Sequence, residues 1–201
     1  MIDNLLDDNQ YYKVVTPKNQ IVVHHTAGGS SAVNTIHGWN FNRERVGTAF
    51  VIDGKGDVYR AFDPKYWAHH IGLKTASNEL LNQSSIGIEL CNWGQLIKKP
   101  DGKFYNYVNK EVPASEVVIV PKFRGFEFYH KYNDLQLAAL KKLINELCIS
   151  FKIPKTFNIN IFDINQSALK GVPGIYTHVS YRTDKNDCSP QPELIKTLNT
   201  L

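Results

Sequence analysis

Two histidines at the ends of β-like stretches, and an anion-forming residue shortly after the second, could together hold a metal ion. His24 closes the apolar run Ile21-Val22-Val23 and precedes a Gly/Ser loop, His178 closes Ile175-Tyr176-Thr177, and Asp187 and Cys188 stand nine and ten residues beyond it. Imidazole nitrogen, thiolate sulfur and carboxylate oxygen are the atoms zinc takes, and a catalytic zinc uses three protein ligands and leaves a fourth position for water. A strand end holds a side chain more rigidly than a loop does, so a histidine there points into a cleft at fixed geometry. Side chains alternate across a strand, which sends His25 to the face opposite His24, so only one of the two enters the site. On spacing alone the third ligand is either Asp187 or Cys188.

One carboxylate joins this set. The stretch from Ser84 to Cys91 reads as a strand that is apolar except for Glu89. Burying a carboxylate alone is costly, so Glu89 must be paired, protonated or aimed into a wet cleft.

The elements that position these residues follow from periodicity and punctuation. The β-branched run before His24 reads as a buried strand. Ser30 or Ser31 can cap a helix from Ala32 to Phe41, with Val33, Ile36 and Phe41 as its apolar face. Ala49 to Ile52 and Val58 to Phe62 flank the polar, glycine-containing stretch from Asp53 to Asp57, which predicts an antiparallel hairpin. Pro64 to Gly72 reads as an irregular loop dense in aromatics and histidine, including Trp67 and His70. From Gly94 to Tyr132 the text changes character, with a turn at Lys98 to Lys103, a short strand at Val117 to Val120 and an aromatic strip from Phe123 to Tyr129; this reads as an elaboration beside the cleft. Asn133, with Gln136 three residues on, starts a helix carrying Leu140, Leu143, Ile144, Leu147 and Phe151 on one stripe until Pro154 stops it. Pro192 opens a short closing helix.

The totals bound the class. A chain of 201 residues without a Pro/Gly/Ser-rich linker predicts one domain, 1–201, with a core over about 20–198 and the elaboration at about 94–132. Hydrophobic content of 42% and charge of 21% are globular values. A net charge of +4 without a clustered Lys/Arg face suits a polyanion such as a cell wall and argues against nucleic acid. The acidic start Met1 to Asp8 lacks the form of a signal peptide, and no run approaches the roughly 18 apolar residues of a membrane helix, so cytoplasmic synthesis without membrane insertion is expected. Three cysteines, Cys91, Cys148 and Cys188, cannot all pair, and a disulfide framework is not expected.

Five stretches, taken in order, carry a resemblance. Ile21-Val22-Val23-His24-His25-Thr26-Ala27-Gly28, Gly47 to Tyr59, Trp67-Ala68-His69-His70-Ile71-Gly72, Ser85-Ile86-Gly87-Ile88-Glu89-Leu90, and Thr177-His178 with Lys185-Asn186-Asp187-Cys188 resemble the zinc-dependent N-acetylmuramoyl-L-alanine amidase family. Phage-type amidase lysozymes, bacterial anhydro-muropeptide amidases and peptidoglycan recognition proteins are its branches. The resemblance runs from about Ile21 to Leu198, leaving out the Gly94 to Tyr132 segment.

It implies one α/β domain, a central mixed sheet flanked by helices, holding one zinc ion at the sheet's edge. His24 and His178 match the first and second zinc ligands. Lys185 matches a lysine two residues before the third, which favours Asp187; Cys188 is the alternative, as in the phage and recognition-protein branches, although Ser189 follows it where those branches have proline. Glu89 matches the general acid/base of the bacterial members, and Lys185 falls where the oxyanion develops. The phage-lysozyme branch has a tyrosine where this chain has Thr48, which cannot replace a phenol. His70 resembles a histidine that contacts the muropeptide, and Trp67 and Thr48 are expected beside it at the cleft wall.

The implied activity is zinc-dependent hydrolysis of the amide between N-acetylmuramic acid and L-alanine, in peptidoglycan or in muropeptides, by a monomer. Without a signal peptide, such a protein acts on the wall once released, as an endolysin does, or on cytoplasmic muropeptides. The alternative is a peptidoglycan-binding module of the same fold without turnover.

Overall fold

Aliphatic side chains pack both faces of the central strands, because helices lie against the sheet on either side. The computed structural model describes residues 1–42 and 44–201. Its first half runs β1 (Ile2–Asp3), β2 (Gln20–His25), α1 (Ala32–Trp39), β3 (Phe50–Ile52), β4 (Val58–Arg60), α2 (Asn78–Ser84) and β5 (Ser85–Leu90). A block of five strands follows: β6 (Gln95–Lys98), β7 (Phe104–Tyr105), β8 (Glu111–Val112), β9 (Val117–Phe123) and β10 (Phe126–His130). The chain closes with α3 (Asp134–Phe151), α4 (Gln166–Leu169), β11 (Gly174–Thr177) and α5 (Pro192–Leu198).

The main sheet has six strands in the order β1-β4-β3-β5-β2-β11. It is mixed, as expected: β2 pairs parallel with both β5 and β11, β3 pairs parallel with β5, and β4 runs antiparallel to β3. Every residue of β2 is buried, which is what a strand covered on both faces requires.

Two helices behave as their sequences direct, one of them with a shifted face. Asn133 and Gln136 form the reciprocal capping box of α3, whose stripe of Leu137, Leu140, Leu143, Ile144 and Leu147 is buried; Phe151 is half-buried, and the helix ends at Lys152 in the left-handed conformation. Ser31 caps α1 by accepting from the Asn34 N–H. The face of α1, however, is Ala32, Ile36 and Trp39, while Val33 and Phe41 are exposed. Positions 32, 36 and 39 complete one stripe at helical spacing, and Val33 falls a step off it.

The segment beyond Gly94 is a second sheet. Its five strands are all antiparallel, in the order β8-β7-β6-β10-β9, around buried Leu96, Val112, Val120 and Tyr129. The aromatic strip is a hairpin turning at Arg124-Gly125. Arg124 ties that hairpin to the rest of the chain by donating to the Asp163 carboxylate and to the Thr183 carbonyl. Cys91, Cys148 and Cys188 are buried and unpaired. No helix among the described residues is long and apolar enough to cross a membrane.

Lys18, just before β2, is buried without an ion-pair partner among the described residues and donates to Thr16 Oγ1 and the Gln83 carbonyl. Burial pushes its ammonium down to about 7 from 10.5. Between those values the unfolded chain binds the extra proton, so Lys18 makes stability rise with pH across that window. The Lys18→Met variant is expected to flatten the slope of unfolding free energy between pH 7 and pH 9, read from urea denaturation at each pH.

Candidate metal centre and active-site cleft

Parallel pairing of β2 with β11 aligns Val23 with Thr177, so His24 and His178 leave adjacent strands at the same level. Their ring centroids lie 4.5 Å apart. The loop after His178 returns through a hydrogen bond from the Val179 N–H to the Asp187 carbonyl, which brings the Asp187 side chain over both rings. Asp187 Oδ2 stands 3.2 Å from His24 Nδ1 and 2.9 Å from His178 Nδ1, and one ligand atom from each of the three residues lies within 4.8 Å of the others.

The outer nitrogens of both rings are engaged. His178 Nε2 is 2.8 Å from the Ile71 carbonyl, which can only accept, so Nε2 carries a proton there. His24 Nε2 faces His70 Nδ1 at 3.0 Å. Burial, followed by repulsion from His178, lowers His24 to about 4, and His24 is therefore neutral at physiological pH. Burial alone would raise Asp187, but attraction and hydrogen bonding to the two imidazoles outweigh it and hold the carboxyl below the usual range. Two imidazole nitrogens and a carboxylate oxygen converging at this separation form a donor set that fits a divalent cation of the zinc type.

The other member of each adjacent pair faces away. His25 Nδ1 lies 2.8 Å from the Tyr132 hydroxyl, and Cys188, fully buried, has its thiol beside that same tyrosine. His24 thus shares one side with Asp187 and His25 the other with Cys188. Cys188 is not among the grouped ligand atoms.

Glu89 pairs in register with His24 on one side and Val51 on the other, and it lines the same cleft of about 430 Å³ as the two histidines, Asp187 and Lys185. Its Oε2 is buried without a hydrogen-bond partner among the described residues. Burial, then the Asp187 charge, raise its carboxyl well above the ordinary value, while Lys185 acts in the opposite sense.

The remaining sequence candidates separate. His70 lines the cleft, its ring held between His24 and the Ser85 hydroxyl. Thr48 also lines it, although its hydroxyl donates to the Phe50 carbonyl. Trp67 is a correction: the indole is buried, stacked on Tyr12 with centroids 3.9 Å apart, and is not part of the cleft wall. The aromatic at the cleft is Trp39 from α1, together with His69 and Arg182, which the sequence did not single out. Among the described residues none of the second sheet lines this cleft, although Gly94, just before it, lies against the His25 ring and Arg124 reaches the Thr183 carbonyl.

Helix α2, not recognised in the sequence, holds this arrangement in place. Asn82 is fully buried, and its Oδ1 accepts from the backbone N–H groups of both His70 and Ile71, the two residues that meet the histidine rings. Its amide donates to the Asn78 carbonyl one helical turn earlier. Gly87 in β5 leaves room for the same loop, since a Cβ there would stand 2.6 Å from Thr48 Cγ2 and 3.2 Å from His70 Cγ.

The fold is one that solved structures share. PlyL matches with a TM-score of 0.54 at 14% identity, covering 93% of this chain and 85% of that one. Staphylococcus aureus hydrolase AmiA, solved in complex with its ligand, matches at 0.55 and 12% identity over 98% and 80%. The N-acetylmuramoyl-L-alanine amidase LysC from Clostridium intestinale matches at 0.51 and 12% identity over 100% and 96%. Comparison with curated protein sequences gives no match. A family model described as N-acetylmuramoyl-L-alanine amidase matches residues 15–192. The chain belongs to that family.

Replacing Asn82 with alanine orphans two buried N–H donors, each costing about 1–3 kcal/mol. Asn82→Ala is expected to lower the unfolding free energy read from urea denaturation accordingly, whereas Gln83→Ala, in the same helix, should change it by less than about 0.5 kcal/mol.

Proposed function

We propose that this chain, acting as one amidase domain, is a zinc-dependent hydrolase of the amide joining the lactyl group of N-acetylmuramic acid to L-alanine in peptidoglycan or muropeptides. The observation that carries this reading is the meeting of His24 Nδ1, His178 Nδ1 and Asp187 Oδ2 beside a buried, unpartnered carboxyl oxygen of Glu89. Family membership supplies the substrate class.

His24, His178 and Asp187 would hold the ion. A bound zinc supplies Lewis-acid polarisation of the scissile carbonyl and makes water acidic enough to react near neutral pH. Glu89 takes the proton from the attacking water and delivers it to the departing alanine nitrogen. Its surroundings favour that exchange: burial and Asp187 make it basic, and the Lys185 ammonium tempers the effect. Lys185 has no carboxylate partner among the described residues and reaches the cleft, where its ammonium opposes the negative charge that develops on the carbonyl oxygen. Trp39 and His70 bound the groove in which the glycan-linked peptide lies. The fully formed donor triad favours turnover over binding alone.

Digestion of purified sacculi and of small muropeptides, followed by mass spectrometry, tests the bond cut: release of peptides with free L-alanine amino termini is expected, and an intact lactyl amide would overturn the reading. Comparing the two substrates separates wall lysis from muropeptide turnover. His24→Ala, His178→Ala and Asp187→Ala should each lose both zinc and activity, while Cys188→Ser keeps one zinc per chain. Glu89→Gln should retain zinc by metal analysis and lower kcat about 10²–10⁴-fold. Lys185→Met should lower kcat by a similar order with little change in KM.

A further inference from the structure

Loop 26–30 divides the metal cleft from a second cavity of about 560 Å³: Thr26 and Ala27 line the first, Gly29 and Ser30 the second. The other walls of this cavity come from the stretch after β5, the start of α3 and the second sheet. Both cavities therefore lie beyond the carboxyl ends of the parallel strands β2 and β5, where open α/β sheets bind their ligands.

The divide is low and short. Residues 27–29 are an alanine and two glycines, and even fully extended backbone from 27 to 29 covers only about 7 Å. It is also fixed in place, because the Thr26 N–H donates to the Leu90 carbonyl and the Gly28 N–H to the Asn92 carbonyl, continuing the β2–β5 ladder past His25. A glycan strand whose lactyl amide reaches the metal cleft has only this strip to cross.

The second cavity has an aromatic wall. Trp93 is half-buried, and Gly29 leaves the edge of its indole bare, since a Cβ there would stand 3.5 Å from Trp93 Cζ2. Exposed Tyr107 meets the same indole in a T-shaped pair with centroids 6.3 Å apart. The Lys110 ammonium lies 5.8 Å over the ring on a flexible stem, which a ligand can push aside. Around this wall the side chains of Ser30, Ser115, Lys131 and Asp134 make no hydrogen bond or ion pair among the described residues. Lys110 and Lys131 are offset by Glu111, Glu116 and Asp134, so the cavity concentrates neither sign of charge, which disfavours a polyanion. A neutral saccharide suits this set. The C–H face of a pyranose ring lies on an indole, while its hydroxyl and acetamido groups bond to surrounding hydroxyl, ammonium and carboxylate groups.

We propose that this second cavity is a distal glycan subsite, with Trp93 as its platform, for sugars of the strand whose amide lies at the metal site. On the amidase reading above, on which this proposal rests, the second sheet makes the chain favour polymeric wall over single muropeptides.

Titration of the full chain with a tetrasaccharide of N-acetylglucosamine, followed through the indole ¹H–¹⁵N signals, is expected to shift Trp93 and leave buried Trp67 unmoved. Ser115→Phe, which fills the cavity from an exposed position, should abolish the Trp93 shift. In both Trp93→Ala and Ser115→Phe, the ratio of kcat/KM on sacculi to kcat/KM on a single disaccharide-peptide should fall about 3–10-fold. An unmoved Trp93 signal, or an unchanged ratio in both folded variants, would overturn the subsite. A Trp93 shift produced by sugar-free stem peptide and not by the saccharide would assign the cavity to peptide and overturn it equally. Saccharide bound at Trp93 by wild-type protein that cleaves neither substrate would keep the glycan site and overturn the amidase reading instead.

Discussion

The site depends on the parallel pairing of β2 with β11. Parallel neighbours progress in the same direction, so residues in register reach the end of the sheet together. That pairing sets His24 beside His178, two residues 154 positions apart in the chain, with ring centroids 4.5 Å apart. A slip of one residue would turn His24 away and bring His25 forward. The ladder from Gln20 to Val23 and from Gly174 to Thr177, with all of its residues buried, fixes the register by packing on both faces.

Around that pair the structure solves a desolvation problem. A carboxylate and two imidazoles are buried together, the His178 ring held from outside the cluster by its contact with the Ile71 carbonyl and the His24 ring by its contact with His70. Glu89 differs, since its buried Oε2 has no hydrogen-bond partner among the described residues, and burial followed by the Asp187 charge raises its carboxyl. A polar group left unsatisfied in a cleft is costly in isolation, and the proposed proton-transfer role of Glu89 gives that cost a reason.

The second sheet stands apart from this economy. It has its own small core of Leu96, Val112, Val120 and Tyr129 and meets the main-sheet half through Arg124, which contacts Asp163 and the Thr183 carbonyl two residues before Lys185, and through His130, which is bonded by Asn92, Trp93 and Gln191. It shares no wall with the metal-site cleft.

Much of the architecture was legible in the sequence because it rests on local pattern. The β-branched run before His24, the hairpin around Asp53 to Asp57, the Asn133 to Gln136 capping box and the proline opening α5 each carry their own signal, and all formed as read. Strand alternation predicted that the His24 and His25 rings face opposite ways, and they meet different partners, Asp187 and Tyr132. The side chosen by Asp187 and Cys188, the burial of Trp67 against Tyr12, and the arrival of Trp39 at the cleft depend on how distant segments meet. Helix α2 escaped notice because it is seven residues long and buries only Leu81 and Asn82, too few for a period to appear. Residue types could name the atoms able to ligate or transfer protons, since that is intrinsic to the side chain. Their separation, their burial and the direction of each hydrogen bond came only with the tertiary structure, because those properties belong to contacts between parts of the chain that have no sequence relation to one another.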